Sequence, residues 1–332
     1  MQDPVSGTPM ATDSVFRTYS LTKPVVSVAA LMLCERGLLN VNDRLSDHLP
    51  DFARMEVATD EGKGRSPCLT PITVGHLLSH TAGFSYESMA PPPIGRLYYQ
   101  AAVDDPRHDG AAVCRILATV PLVHRPGSAW QYGRSTDVLG HLLELRFGKS
   151  LGELLDELIF EPLEMVDTGF LVPPHKRHRI AEPFVCHPDN GLPILLDDPT
   201  DPLRGQLGGS GLNSTAADYC RFLQMLAQGG IWRRTRLLRQ ETVQSMLIDR
   251  IQDKPVLVDL LPPGHGFGMG VAVCARAVPG VHPFTPGCYS WSGATGAAFF
   301  VDPGRGRVAI LMAQAPYARI DLADAFAWGA FG

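Results

Sequence analysis

Thirteen residues near the start of the chain constrain its fold more than any others. Residues 24–36, PVVSVAALMLCER, place apolar side chains almost all round a helix. Such a helix is stable only when it is enclosed on most faces, so it must run through a sizeable core. Gly37 stands just past it, where a helix ends in a C-terminal cap. With 332 residues, of which 45% are hydrophobic and 19% charged, the chain can supply that core. One large domain or two closely packed ones is expected, and disorder is excluded.

The charge pattern narrows the partners. Net charge is −5, and Lys and Arg are scattered, so there is no electrostatic footprint for nucleic acid or an anionic membrane. No apolar run approaches the ~20 residues of a membrane-spanning helix. The start, Met1-Gln2-Asp3-Pro4, lacks the basic and apolar stretches of a signal peptide, and a cytoplasmic protein is expected. Its seven cysteines are odd in number and lack CxxC spacing, which points to buried reduced thiols and not to a disulfide frame or zinc.

Capping and periodicity outline the rest. Residues 59–70, TDEGKGRSPCLT, read as an exposed loop, after which Thr73 caps a short helix through VGHLLSH. Ser135 to Arg146 has helical apolar spacing, and LGELLDELIF follows Gly148-Lys149-Ser150 as a second helix. Further helices are expected over Thr215–Leu226, over residues 241–247 and near Asp321–Trp328. Between the last two, GFGMGVAVCARA, GAAFFVDP and RVAILMAQ read as strands, with Asp302-Pro303-Gly304 as a turn. The pattern implies an α/β (α+β) fold. Residues 1–36 and 205–332 would form a sheet-containing lobe, and 37–204 a mostly helical one.

Several familiar motifs fail. Gly148-Lys149-Ser150 resembles the end of a P-loop, but Leu143 stands where the first glycine belongs. There is no GxSxG elbow and no HExxH. His76 and His80 share a helical face without a third ligand, so no metal or cofactor is implied. Ser20-Leu21-Thr22-Lys23 is different. It is the only SxxK in the chain and opens the apolar helix. Its spacing puts hydroxyl and amine on one face, and Pro24 keeps Ser20 within a turn of the helix start. Unpaired N–H groups there suit an oxyanion, and a lysine beside an apolar helix can have its pKa lowered and serve as a base.

The stretches around this motif carry a resemblance. FRTYSLTKPVVSVAALMLCERGLLNVNDRLSDHLPDF and ITVGHLLSHTAGF resemble the opening of serine β-lactamase-like enzymes. PGSAWQYGRSTDVLGHLLE, GGSGLNSTAADYCRFLQMLAQGG and YSWSGATGAAFFVDP extend the likeness nearly to the C-terminus. Within that superfamily the chain is most similar to the family VIII carboxylesterases, relatives of class C β-lactamases. The resemblance implies an antiparallel sheet flanked by helices with an inserted, mostly helical lobe. It implies Ser20 as the acyl-accepting nucleophile, with Lys23 and Tyr132 sharing the proton work. The N–H groups of Ser20 and Ala294 would form an oxyanion hole, and Trp291, Ser292, Gly293 and Arg134 would touch substrate.

Two departures point away from penicillins. Trp291 replaces the lysine of the usual Lys-Thr-Gly, and Arg134 replaces the asparagine of Tyr-x-Asn. The expected substrate is a small ester with a short acyl chain. A β-lactamase, a D-Ala-D-Ala peptidase, an acyltransferase and a non-catalytic truncated homologue are the alternatives. In the family the last strand pairs with two N-terminal strands, and residues 1–13 cannot supply them. The strand from Arg307 to Ala313 is therefore expected at an open edge. A start placed too late, or a homo-oligomer, would account for such a chain.

Overall fold

The computed structural model describes residues 1–332. The apolar stretch forms helix α1, Thr22–Glu35, and every residue from Thr22 to Leu33 is buried. Gly37, at φ +69°, ends it. The Leu38 N–H reaches the Leu33 carbonyl at 3.0 Å and the Gly37 N–H reaches Cys34 at 3.1 Å, so two orphan carbonyls of the last turn are satisfied.

One five-stranded sheet lies beside it: β1 (His265–Phe267), β2 (Ala272–Cys274), β3 (Tyr289–Ser292), β4 (Ala298–Asp302) and β5 (Arg307–Leu311). The strands run in sequence order across the sheet, each antiparallel to its neighbour. GFGMGVAVCARA is thus not one strand; it folds back at Gly268–Gly270. Gly270, at φ +92°, presses against α1 so closely that a Cβ there would strike the Ser27 hydroxyl.

The β5 strand occupies the edge and pairs only with β4. Val308, Ile310 and Met312 pack on the main core, and Ala309 on a smaller cluster that contains Phe331. Residues 1–13 do not join this sheet, and Phe16–Arg17 pairs with Asn213–Ser214 elsewhere.

Three further long helices complete the frame: α2 (Ser135–Phe147), α3 (Ala216–Ala227) and α4 (Arg319–Phe331). Thr215 caps α3 through the Asp218 N–H, and Gly148 closes α2 at φ +63°. Gly148-Lys149-Ser150 is a junction between helices, since Ser150 and Glu153 form a capping box.

Some expectations are corrected. Residues 59–70 are not simply a loop, because Gly64–Pro67 pairs with Glu56–Thr59 as a hairpin. Helices at Pro92–Gln100 and Gly110–Leu117 had no apolar run to announce them. The seven cysteines are free, but only Cys114, Cys274 and Cys288 are buried and Cys186 is exposed. No helix is long and apolar enough to cross a membrane. One cluster of 66 buried residues runs from α1 through the helical region to the sheet, so the sheet and the helices share a core.

Candidate active site

Ser20 sits in a single 3-10 turn, Tyr19–Leu21, that feeds directly into α1. The preceding Tyr19 holds a left-handed backbone, φ +44°, which a bulky residue adopts only at a cost. One turn further on, Lys23 is completely buried. Its Nζ donates to the Ser20 Oγ at 3.3 Å, the Tyr86 Oη at 2.9 Å and the Gly209 carbonyl at 2.6 Å. Three acceptors match the three donors of an ammonium. Burial pulls the Lys23 pKa down, but Tyr132, Tyr86 and Asp137 outweigh it and the net direction is up. The lowering expected from an apolar helix is thus opposed by the groups that surround the amine.

Tyr132 lies just ahead of α2, with the Lys23 Nζ 4.8 Å from its ring centroid. Its ring packs against His80 (4.9 Å), Trp291 (5.1 Å) and Tyr86 (5.5 Å). Its Oη is buried and has no hydrogen-bond partner. A buried hydroxyl left unpaired is costly, so it marks a place where a reacting group can be accommodated. Ser20, Tyr132, Arg134, Trp291, Ser292 and Ala294 all line one cleft of about 370 Å³.

The opposite wall is the end of β3. Trp291 is buried, and its ring edge meets Phe267 at 5.2 Å, so it serves as a core aromatic and a cleft wall together. Gly293 has no room for a side chain, because a Cβ would strike the Thr18 carbonyl. That contact sets the strand end against the segment entering Ser20. The turn beyond is held by Gly293 N–H to Ala297 O (2.7 Å) and by the Thr295 hydroxyl to Arg17 O (3.1 Å). The Ala294 N–H has no acceptor within the chain, which leaves it available to a ligand.

Arg134 lines the cleft but is enclosed and held by carboxylates. It is 3% exposed and donates to Asp104 at 2.6 Å and Glu87 at 3.3 Å, with Asp137 at 3.9 Å. Its guanidinium also lies 4.8 Å from the Tyr86 ring centroid. Charge balance in the wall of the cleft is the work of this side chain.

Three groups were missed from sequence. Tyr86 lies two residues beyond the ITVGHLLSHTAGF stretch, and burial pushes its pKa up to about 12. Asp137 and Gly209 form a relay: the Asp137 Oδ1 accepts the Gly209 N–H at 2.7 Å, and the same glycine offers its carbonyl to Lys23. Asp137 could have been noticed as a lone acid on the apolar face of a helix, but nothing local links it to Gly209. His76 and His80 have structural duties. His76 completes the Thr73 capping box, and the His80 Nε2 meets the Thr136 hydroxyl at 3.3 Å. Ligand-type atoms of His265, Cys274 and His282 lie within 4.8 Å of one another. Both ring nitrogens of His282 are already engaged, by Pro263 O and the Phe284 N–H, so the trio does not suit a metal.

Comparison with known proteins agrees with this geometry. The Beta-lactamase family matches residues 1–329. The chain belongs to the beta-lactamase family. This beta-lactamase-family chain is 33% identical over 337 residues to "Protein Rv1367c" of Mycobacterium tuberculosis, with 97% of this chain and 83% of that protein covered. It is 30% identical to "Esterase EstB" of Burkholderia gladioli, with 96% and 81% covered. Among solved structures, "EstCE1, a hydrolase with promiscuous acyltransferase activity" superimposes with a TM-score of 0.82 at 25% identity, covering 100% of this chain and 88% of the other. Esterases and acyltransferases are thus among the relatives of this family member.

Proposed function

We propose that this protein is a serine hydrolase that cleaves carboxylic esters with a short acyl group through an acyl-enzyme on Ser20. The observation that carries the reading is the contact of the Lys23 Nζ with the Ser20 Oγ, at the start of a buried helix and at the foot of a cleft. The Ser20 Oγ would attack the acyl carbon while its proton passes to the Lys23–Tyr132 pair, which must be one proton short to receive it. In that form a Lys23 ammonium lies beside the Tyr132 ring and offsets the charge of a deprotonated Tyr132 oxygen until it takes the serine proton. The N–H groups of Ser20 and Ala294 would hold the oxyanion. The alcohol leaves with the proton taken from Ser20, and water repeats the cycle on the acyl-enzyme.

Trp291 gives the cleft an apolar wall where a lysine would attract the carboxylate of a β-lactam, and Arg134 is already paired with Glu87 and Asp104. Ester cleavage should therefore exceed β-lactam cleavage. Transfer of the acyl group to an alcohol is the second reading, favoured by the acyltransferase activity of EstCE1. The test compares p-nitrophenyl acetate, p-nitrophenyl octanoate and nitrocefin on one preparation, with Ser20→Ala beside it. The expected result is rapid turnover of the acetate, at least about 100-fold slower turnover of nitrocefin, and a loss of about 1,000-fold or more in Ser20→Ala. Full activity in that variant would refute the assignment, and efficient nitrocefin turnover with little ester cleavage would reverse the substrate class. The rate should also fall as pH drops from neutrality to about 5, because the base takes up a proton.

A further inference from the structure

The catalytic cleft does not end at Ser292. Leu260, Trp291, Ser292 and Arg319 also line a second cavity of about 320 Å³, on the far side of β3 beneath α4. The two spaces differ in chemistry. Around Ser20 the walls carry Glu87, Asp104, Asp197, Arg134 and Arg204. The second chamber is walled mainly by Leu261, Phe284, Phe300, Ile320, Ala323 and Trp328, with Asp259, His282 and Asp324 beside them. Its rim is open to solvent: Ile320 is 64% exposed and Trp328 43%. A mostly apolar chamber that shares a wall with a polar catalytic cleft is suited to one part of a ligand whose other part reacts.

We propose that this chamber is the subsite for the alcohol portion of the substrate, and that the preferred substrates are short-acyl esters of apolar alcohols. The proposal rests on the ester-hydrolase reading of the Ser20 cleft and adds the substrate class to it. The leaving side is assigned by the reaction itself. In the first step the Ser20 Oγ bonds to the acyl carbon and the bond to the alkoxy oxygen breaks. The alcohol then departs with the proton from Ser20, and water must enter. A product that departs first needs an open exit, and the rim at Ile320 and Trp328 provides one. The acyl group stays on Ser20, in a cleft walled by Glu87, Asp104, Asp197, Arg134 and Arg204, where a long apolar chain would lie against charged groups. Each methylene buried in the chamber should raise kcat/KM by about fourfold.

The test uses ethyl acetate, octyl acetate and p-nitrophenyl octanoate on the wild-type protein, Ala323→Phe and Ile320→Glu. The first variant fills the chamber from a half-buried helix position, and the second puts a charge on its exposed wall. Octyl acetate should be preferred to ethyl acetate by about 100-fold or more in the wild-type protein. Both variants should lose at least about tenfold of that preference and keep ethyl acetate turnover within about twofold. If only p-nitrophenyl octanoate responds, the chamber holds acyl chains and the proposal is overturned. Equal preference for the two acetates in all three proteins overturns it as well. Inactivity toward every ester would defeat the hydrolase reading alone, and the chamber is then read by binding. Octyl acetate should quench emission from Trp328 in Ser20→Ala protein, with the quenching lost in Trp328→Phe; no quenching means no subsite.

Discussion

Helices α1 and α4 have nearly the same length, 14 and 13 residues, and both are rich in apolar side chains. In α1 the buried set includes Lys23, Ser27 and nearly every other residue. In α4 only Ala327 and Phe331 are buried, and Ile320, Leu322 and Trp328 face solvent. The difference lies in their neighbours. The main core, with α2 on one side and the sheet on the other, encloses α1, whereas α4 covers one end of a sheet whose β5 edge is unpaired. Composition alone would treat the two helices alike. Enclosure is what allows α1 to hold a charged amine in place, since a buried ion is tolerated only where its partners are fixed.

The largest expected effect that sharpens this contrast is at Asp137. Removing its carboxylate in Asp137→Ala frees the Gly209 peptide that supports Lys23 and leaves Arg134 short of a partner. A loss of about 3–5 kcal/mol in stability is expected from urea titration, with a loss of ester turnover to match. Asp137→Asn keeps an acceptor for the Gly209 N–H and should recover part of both; equal damage in the two variants would mean that the relay does not position Lys23.

Next comes packing. Leu33→Ala in α1 should cost about 2–5 kcal/mol, while Leu322→Ala in α4 should change stability by no more than about 0.5 kcal/mol. Similar losses at the two sites would break the comparison.

A smaller effect involves one histidine in each region. Burial holds His80, against Tyr132, well below its usual pKa, and holds His265, beside His282 near the α4 chamber, down to about 4. Both stay neutral in the fold while the unfolded chain takes up protons below about pH 6.5. The unfolded state then binds more protons, so stability falls as pH drops from about 6.5 toward 4. His265→Gln should flatten part of that fall, measured as urea midpoints at about pH 7 and 4.5. An unchanged slope would place the acid sensitivity elsewhere.

Much of this was legible in the residues. The apolar run with Gly37 behind it gave α1 to within two residues, Thr73 and Thr215 marked real helix starts because capping is local chemistry, and helical spacing placed the start at Ser135. The grouping of Ser20 with Lys23 follows from helical spacing, and their convergence with Tyr132 and the Trp291 strand was legible only through the family resemblance. What stayed hidden was tertiary. Arg134 read as a substrate contact and its enclosure went unseen, because its partners Glu87 and Asp104 come from a segment with no periodic signal. The state of Lys23 depends on Tyr86 and on a peptide 186 residues away, and no window of sequence contains both. The hairpin at Glu56–Pro67 was lost among polar and glycine residues that a loop would also use.

The backbone at Tyr19 has a consequence for how such a chain can drift. Tyr19 and His80 both carry left-handed dihedrals without being glycine, at φ +44° and +53°, and they adjoin Ser20 and the Tyr132 ring. Strain of this kind costs on the order of 1 kcal/mol or more per residue. A lineage selected only for thermal robustness would gain by relaxing either position, for instance with glycine, and would loosen the nucleophile in doing so. Substitutions that raise the melting temperature while eroding turnover should therefore gather at these two positions, so a survey of heat-selected variants would map the reactive corner without any substrate in hand.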